Sequence, residues 1–304
     1  MLVISIGLQG VTPKPPCLAR PPFASMVLWE SFRSTSASGA KIPGAKIPPQ
    51  KSPKMKKIIF HQGNILLPLA SPAAPSLSSA EEEIFRFTIA GSEYTAFDLP
   101  PAAPIPAGLT PVGLRESWSL LPEADYTAAT KAAELLHWNR EMRHCPRCGV
   151  PLRRSGEISK KCDKCNAEYF PQIAPCVIVL VTRGEGPDEE ALLVHAANFR
   201  RPFFGLVAGF VETGESLEAA VAREVKEETG LEIEDITYFG SQSWPFPHQM
   251  MIAFTARWRS GEVRFADGEL TAGGFFRRDS VPPLATPPSI ARRLIDAWLR
   301  LRPE

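Results

Sequence analysis

Two cysteine pairs constrain the fold of this chain more than any other feature. Cys145-Pro-Arg-Cys148 is followed, after thirteen residues, by Cys162-Asp-Lys-Cys165. A C-x2-C turn is tight enough for both sulfurs to face one ion. Two such turns in one short segment suit a tetrahedral zinc held by four thiolates. Disulfides and redox thiols are the alternatives, and the paired knuckles favour zinc. Four thiolates fill the coordination shell, so the ion is expected to be structural. Arg153, Arg154, Lys160 and Lys161 lie between the pairs and are expected to offset part of the charge of the centre. Zinc thiolates also imply a reducing compartment, cytoplasmic or other. Cys176 sits in the apolar run CVIVLV and is expected to be a buried thiol in a strand.

The rest of the chain divides around this segment. A length of 304 residues suits about two domains. The net charge of +1 removes whole-chain electrostatics as a reason to expect DNA or membrane binding. No apolar run approaches the ~20 residues that span a bilayer. Residues 1–54 carry seven Lys or Arg, a single acid in Glu30, and many Pro, Ser and Gly. They read as a disordered extension or as sequence upstream of a true start at Met55. An organelle transit peptide is the other reading. From 55 to 143, KKIIF, NILLPL, EIFRFTIAG and EYTAFDL predict short strands. A Pro/Ala-rich stretch, 100–111, precedes a helix capped by Asp125 and running to Met142. This segment is expected to be a small α+β domain. Residues 144–170 form the zinc ribbon, and 171–304 a further domain.

That last domain holds the most informative stretch, GFVETGESLEAAVAREVKEETGL at 209–231. Ser216 predicts the start of a helix and Gly230 its end. Leu217, Ala220, Val221 and Val225 make its apolar face. Glu224, Glu227 and Glu228 fall at i, i+3 and i+4 and share another face, where like charges repel. Cations against that face would explain the cluster, and oxygen ligands select hard ions such as Mg2+ or Mn2+. A solvated acidic face is the bland alternative. Arg223 is placed to pair with Glu215 in the preceding loop.

The spacing Gly209, five residues, Glu215, seven residues, then Arg223-Glu224-Val225-x-Glu227-Glu228-x-Gly230-Leu231 matches every fixed position of the Nudix box. The chain therefore resembles the Nudix hydrolases. The resemblance implies an α/β/α sandwich around a mixed sheet (α+β overall) and cleavage of a nucleoside diphosphate linked to another group. Zinc knuckles before the box and Ser241-Gln-Ser-Trp244-Pro-Phe246-Pro247 after it resemble the NADH pyrophosphatase (NAD+ diphosphatase) subfamily, whose signature reads SQPWPFPxS. That likeness spans about residues 55–304.

By the same resemblance, Glu224, Glu228 and Glu269, with the carbonyl of Ala208, would hold two or three Mg2+ or Mn2+ ions. Glu227 is a candidate for orienting or deprotonating the attacking water, a role the sequence does not separate from Glu228 or Glu269. Gln242, Ser243, Trp244, Pro245, Phe246, Pro247, His248 and Gln249 would line a dinucleotide pocket, with Arg115, Glu157 and Ala291 as further contacts. Trp244 and Phe246, stiffened by their prolines, suggest a stacking platform for a nicotinamide or adenine ring. Phe210 is a second stacking candidate. Ser243 and Gln249 depart from the signature, and Ala272 departs from the acidic residue that often follows Glu269. Phe170 departs too, standing where a substrate-binding Tyr is expected and Tyr169 lies adjacent.

The implied reaction is NADH or NAD+ plus water giving reduced or oxidised nicotinamide mononucleotide plus AMP. Removal of an NAD cap from RNA by the same chemistry is an alternative, with the basic ribbon (Arg147, Arg153, Arg154, Lys160, Lys161, Lys164) as a track for phosphates. ADP-ribose and dinucleoside polyphosphates are others. A ribbon module that binds NAD without cleaving it is the rival from another class. The resemblance also implies a homodimer, and nothing suggests a membrane partner.

Overall fold

The computed structural model describes residues 55–68, 84–199, 201–265 and 268–300. The expectations for residues 1–54 fall outside the described residues. Strands β1 (Lys56–His61) and β2 (Asn64–Pro68) form a hairpin turned at Gln62 and Gly63, both at positive φ. Such a turn matches the twist of the strands it joins, and glycine takes its second position without a Cβ penalty. β3 (Phe85–Ile89) and β4 (Ser92–Leu99) form a second hairpin, and β5 (Leu109–Val112) closes a sheet of order β3-β4-β1-β2-β5. β5 emerges from the end of the Pro/Ala-rich stretch, where the residue pattern carries no strand signal.

Helix α1 (Glu123–Glu141) covers this sheet. Phe85, Phe87, Tyr94, Tyr126, Ala129 and Leu136 share one core. Asp125 does not cap α1. The helix starts earlier, after Pro122, whose ψ of 148° ends the extended chain. Asp125 stands in the first turn, where a carboxylate still favours the helix dipole. Its oxygen accepts from Lys56 Nζ and Tyr94 OH, both at 2.6 Å. Two tertiary donors have displaced the local capping bond.

The ribbon follows as β6 (Arg153–Arg154), β7 (Lys160–Lys161) and β8 (Glu168–Tyr169), all antiparallel. Lys160 differs from expectation. It is 6% exposed, and its Nζ donates to the carbonyls of Asn139 and Met142 at 2.8 Å each. Its ammonium lies 5.2 Å from the Trp138 ring centroid. Lys160 thus caps the C-terminus of α1 instead of offsetting the thiolates.

The third sheet is built of β9 (Ala174–Arg183), β10 (Glu190–Ala196), β11 (Val207–Phe210), β12 (Glu232–Trp244), β13 (Gln249–Ser260) and β14 (Leu270–Arg277). The order is β12-β13-β9-β10-β14, with β11 on β9. β13 runs parallel to β9 and the other pairings are antiparallel, so the sheet is mixed. Central β9 is buried on both faces, which is why its sequence is a continuous apolar run. Val177, Val179 and Val181 pack beneath α2 (Leu217–Thr229). The alternate residues Cys176, Ile178 and Leu180 pack against α3 (Ile290–Arg300). One helix on each face makes the α/β/α sandwich that the box implies. No helix among the described residues is long and apolar enough to cross a membrane.

Candidate active site

Local signals set α2. The Ser216 hydroxyl accepts from Ala219 N–H at 3.1 Å, and Gly230 ends the helix at φ 74°. Ala220, Val221 and Val225 are buried, and Leu217 packs at the edge of the same core. Burying that stripe turns the glutamates toward β11. Glu228 is 6% exposed and the Glu224 side chain 13%, whereas the Glu227 side chain is 59% exposed. The cluster is therefore no solvated face: two of its three carboxylates are inside.

Gly209 makes room for this. A Cβ there would lie 1.9 Å from the Glu224 carboxyl carbon. Ala208, its neighbour on β11, pairs with Ile178 of β9. Burial pushes the Glu224 pKa up; Arg223 opposes this, and the charges of Glu227 and Glu269 push it further up. Glu269 immediately precedes β14, and its carbonyl accepts from Ala197 N–H. Burial raises the Cys176 thiol to about 12, assisted by Glu224 and Glu228. Desolvated, mutually repelling carboxylate oxygens are a donor set that fits hard divalent cations.

Arg223 organises the rim. Its Nε and Nη2 donate to Glu215, its Nη1 to Glu224 at 2.8 Å and Glu227 at 3.1 Å, and its Nη2 also to the Phe210 carbonyl. The expected pairing with Glu215 is present, and two of the proposed metal-face carboxylates share the same guanidinium.

Among the described residues, the four ribbon cysteines are the group whose ligand atoms all lie within 4.8 Å of one another. Sγ–Sγ distances are 3.5 Å for Cys145 and Cys165 and 3.4 Å for Cys148 and Cys162. A tetrahedron with Zn–S bonds of ~2.3 Å has sulfurs ~3.8 Å apart, so the four fit a zinc ion. The Tyr169 hydroxyl, 3.2 Å from Cys145 Sγ, leads the lowering of that thiol to about 6. Tyr169 thus turns its hydroxyl to the cysteine cluster, and Phe170, where a substrate-binding Tyr is expected, is exposed.

The 242–249 loop lies where β12 turns into β13. Trp244 pairs with Gln249, which also meets Ala174 of β9. The Trp244 and Phe246 rings are not a flat platform; they meet edge to face at 64°, with centroids 5.1 Å apart. Arg115 is over both, 4.9 Å from Trp244 and 4.6 Å from Phe246. Pro245 is buried and Pro247 exposed. Gln242 Nε2 donates to the Pro288 carbonyl, and Ala291 packs in the α3 core. Glu157 is exposed on the ribbon, its carbonyl bonded to Arg154. Phe210 is exposed at the end of β11. Sequence reasoning did not single out Glu134 and His137, which meet Ser243 and His248 from α1. The available signal was an acid and a histidine amid the buried positions Ala132, Leu135 and Leu136.

The NUDIX domain family model matches residues 172–298, and that of the NADH pyrophosphatase-like rudimentary NUDIX domain matches 35–138. The NAD-capped RNA hydrolase NudC of Deinococcus radiodurans is 37% identical over 247 residues, covering 80% of this chain and 88% of that protein. The protein of the same name from Chromobacterium violaceum is 38% identical over 230 residues, covering 75% and 84%. Among solved structures, a NUDIX hydrolase from Nitrosomonas europaea is 25% identical, covering 53% of this chain and 95% of that one, with a TM-score of 0.43. With both family domains matched in order around the cysteine cluster, the chain belongs to the Nudix hydrolase family, as one of its NADH pyrophosphatase-like members.

Proposed function

We propose that the protein hydrolyses the pyrophosphate of NADH or NAD+, giving the nicotinamide mononucleotide and AMP. The observation that carries this reading is the inward-facing pair Glu224 and Glu228, with Gly209 stripped of a side chain to admit the first. Two or three Mg2+ or Mn2+ ions, when bound, neutralise the pyrophosphate and make water a better nucleophile. Glu224, Glu228, Glu269 and the Ala208 carbonyl would hold them. Glu227, solvent-facing one turn from Arg223, is suited to orient the water that attacks phosphorus. Phe210 and the 242–249 loop would hold the nucleotide ends. Zinc in the ribbon would be structural.

NAD-capped RNA is the second substrate this reading admits, supported by the names of the two relatives. Arg147, Arg153, Arg154 and Lys164 are exposed on the ribbon, Arg154 with its guanidinium over the Phe85 ring, whereas Lys160 is turned inward. The track for RNA phosphates would therefore be shorter than the sequence implies. A homodimer would cover the exposed Phe170, Ile173 and Phe210 near the start of β9 and the end of β11. Four thiolates beside an unpaired Cys176 suit a reducing compartment.

Comparing kcat/KM for NADH, NAD+, NAD-capped RNA, ADP-ribose and diadenosine polyphosphates tests the substrate. A clear preference for either of the last two would overturn it and leave the reaction type standing. Absence of metal-dependent AMP release from NADH and from NAD+ would overturn both.

A further inference from the structure

The loop that carries the proposed dinucleotide contacts is gripped by the first α+β segment, outside the Nudix sheet. Ser243 Oγ donates to Glu134 Oε1 at 2.8 Å. Arg115 lies across the Trp244 and Phe246 rings. His248 stacks on His137, with centroids 5.8 Å apart and planes 13° from parallel. Phe246 also packs against the core beneath α1. Glu134 and His137 lie one turn apart on α1, so one rigid face meets both ends of the loop.

Glu134 is a costly residue to keep there. Burial raises its pKa, and only the Ser243 hydroxyl opposes that shift. An apolar side chain would avoid the desolvation, so stability alone does not account for the carboxylate. Its bond does fix the residue that precedes Trp244. The next side chain back, Gln242, is held by Pro288 through Nε2, while its buried Oε1 has no hydrogen-bond partner among the described residues. Gln242 and Ser243 line a cavity of about 270 Å³ between α1 and α3. A loop fixed on both sides, with an acceptor left over, is ordered before its ligand arrives.

We propose that α1 is the template of the substrate loop, and that Glu134 is a positioning residue acting through the Ser243 hydroxyl while Arg115 braces the two rings. The inference rests on the reading that 242–249 binds the dinucleotide. It makes the first domain part of substrate affinity, without placing any of its carboxylates at the reacting phosphorus.

Steady-state kinetics of the full chain with NADH and saturating Mg2+ test it. Glu134→Leu and Ser243→Ala should each raise KM about five- to tenfold, equivalent to one hydrogen bond of about 1 kcal/mol. Their kcat should change by less than about twofold, since the bond acts on binding. The double variant should raise KM no further than either single change, because both remove the same bond. Glu134→Gln keeps an acceptor oxygen and should return KM to the wild-type value. An unchanged KM in Ser243→Ala, additive effects in the double variant, or a Glu134→Gln as impaired as Glu134→Leu would each overturn the proposal. Trp244→Ala separates it from the reading beneath it. A raised KM there with an unchanged KM in Ser243→Ala removes the positioning role alone. An unchanged KM in both removes the loop as a binding site, and the proposal with it.

Discussion

The Glu224 carboxylate fills the space in which a side chain on Gly209 would begin, its carboxyl carbon 1.9 Å from that Cβ position. The strand and the helix are therefore matched at one point by the absence of a methyl group. Gly209→Ala should displace Glu224 from the proposed metal face. The expected result is a fall in kcat/KM of at least about tenfold, of the size seen when groups that orient metal ligands are lost. Activity at wild-type level in the alanine variant would show that Glu224 needs no such fit.

The two buried carboxylates should weigh more than the exposed one. Glu224→Gln and Glu228→Gln are each expected to lower kcat/KM by more than about a hundredfold, since a ligand should matter more than its support. Glu227→Gln should lower kcat with the Mg2+ dependence unchanged. If Glu227→Gln instead raised the Mg2+ requirement while Glu228→Gln did not, the roles would have to be exchanged.

Much of this arrangement is legible in the residues, and the division follows range. α2 is legible because Ser216 and Gly230 act on the helix that they bound. β9 is legible because burial on two faces leaves a continuous apolar run. Asp125 reads as a helix cap, but that preference competes with Lys56 and Tyr94, 69 and 31 residues away. Lys160 reads as a counter-charge in the ribbon, and only the folded chain brings the α1 carbonyls to it. Trp244 and Phe246 announce an aromatic contact, but their type does not say that Arg115 takes the ring faces. Glu134 carries no local signal beyond an acid on a helix with many buried positions.

The cysteine cluster yields a stability prediction. Cys162→Ser should abolish stoichiometric zinc, read by elemental analysis, and lower Tm by at least ~5 °C. The effect should spread, because Lys160 of the same ribbon closes α1. Hydrogen exchange at the end of α1 should quicken in that variant. Exchange confined to 144–170 would show the ribbon to be an independent unit.

Glu134 also predicts a pH dependence. Burial raises its pKa against the opposing Ser243 hydroxyl, so the folded chain keeps this proton to higher pH than the unfolded chain, whose value is near 4.5. Its contribution is full below the unfolded value and is lost as pH rises through the folded one. Glu134→Gln has no proton to lose there. Its stability relative to wild type should rise across that window and then level off. Urea denaturation from about pH 4 to 7 reads this directly. A difference that stays constant with pH would mean that the carboxylate is not desolvated in the folded chain.

Arg223 donates to three glutamates and one carbonyl, and so offsets part of the negative charge of the acidic rim. Loading the proposed metal site would then exchange one cation for another at Glu224, while Glu215 would keep its partner. The proposed site keeps a net negative charge that favours an incoming divalent ion, while one arginine already steadies its rim. It would be emptied and refilled without dismantling the helix on which its carboxylates stand.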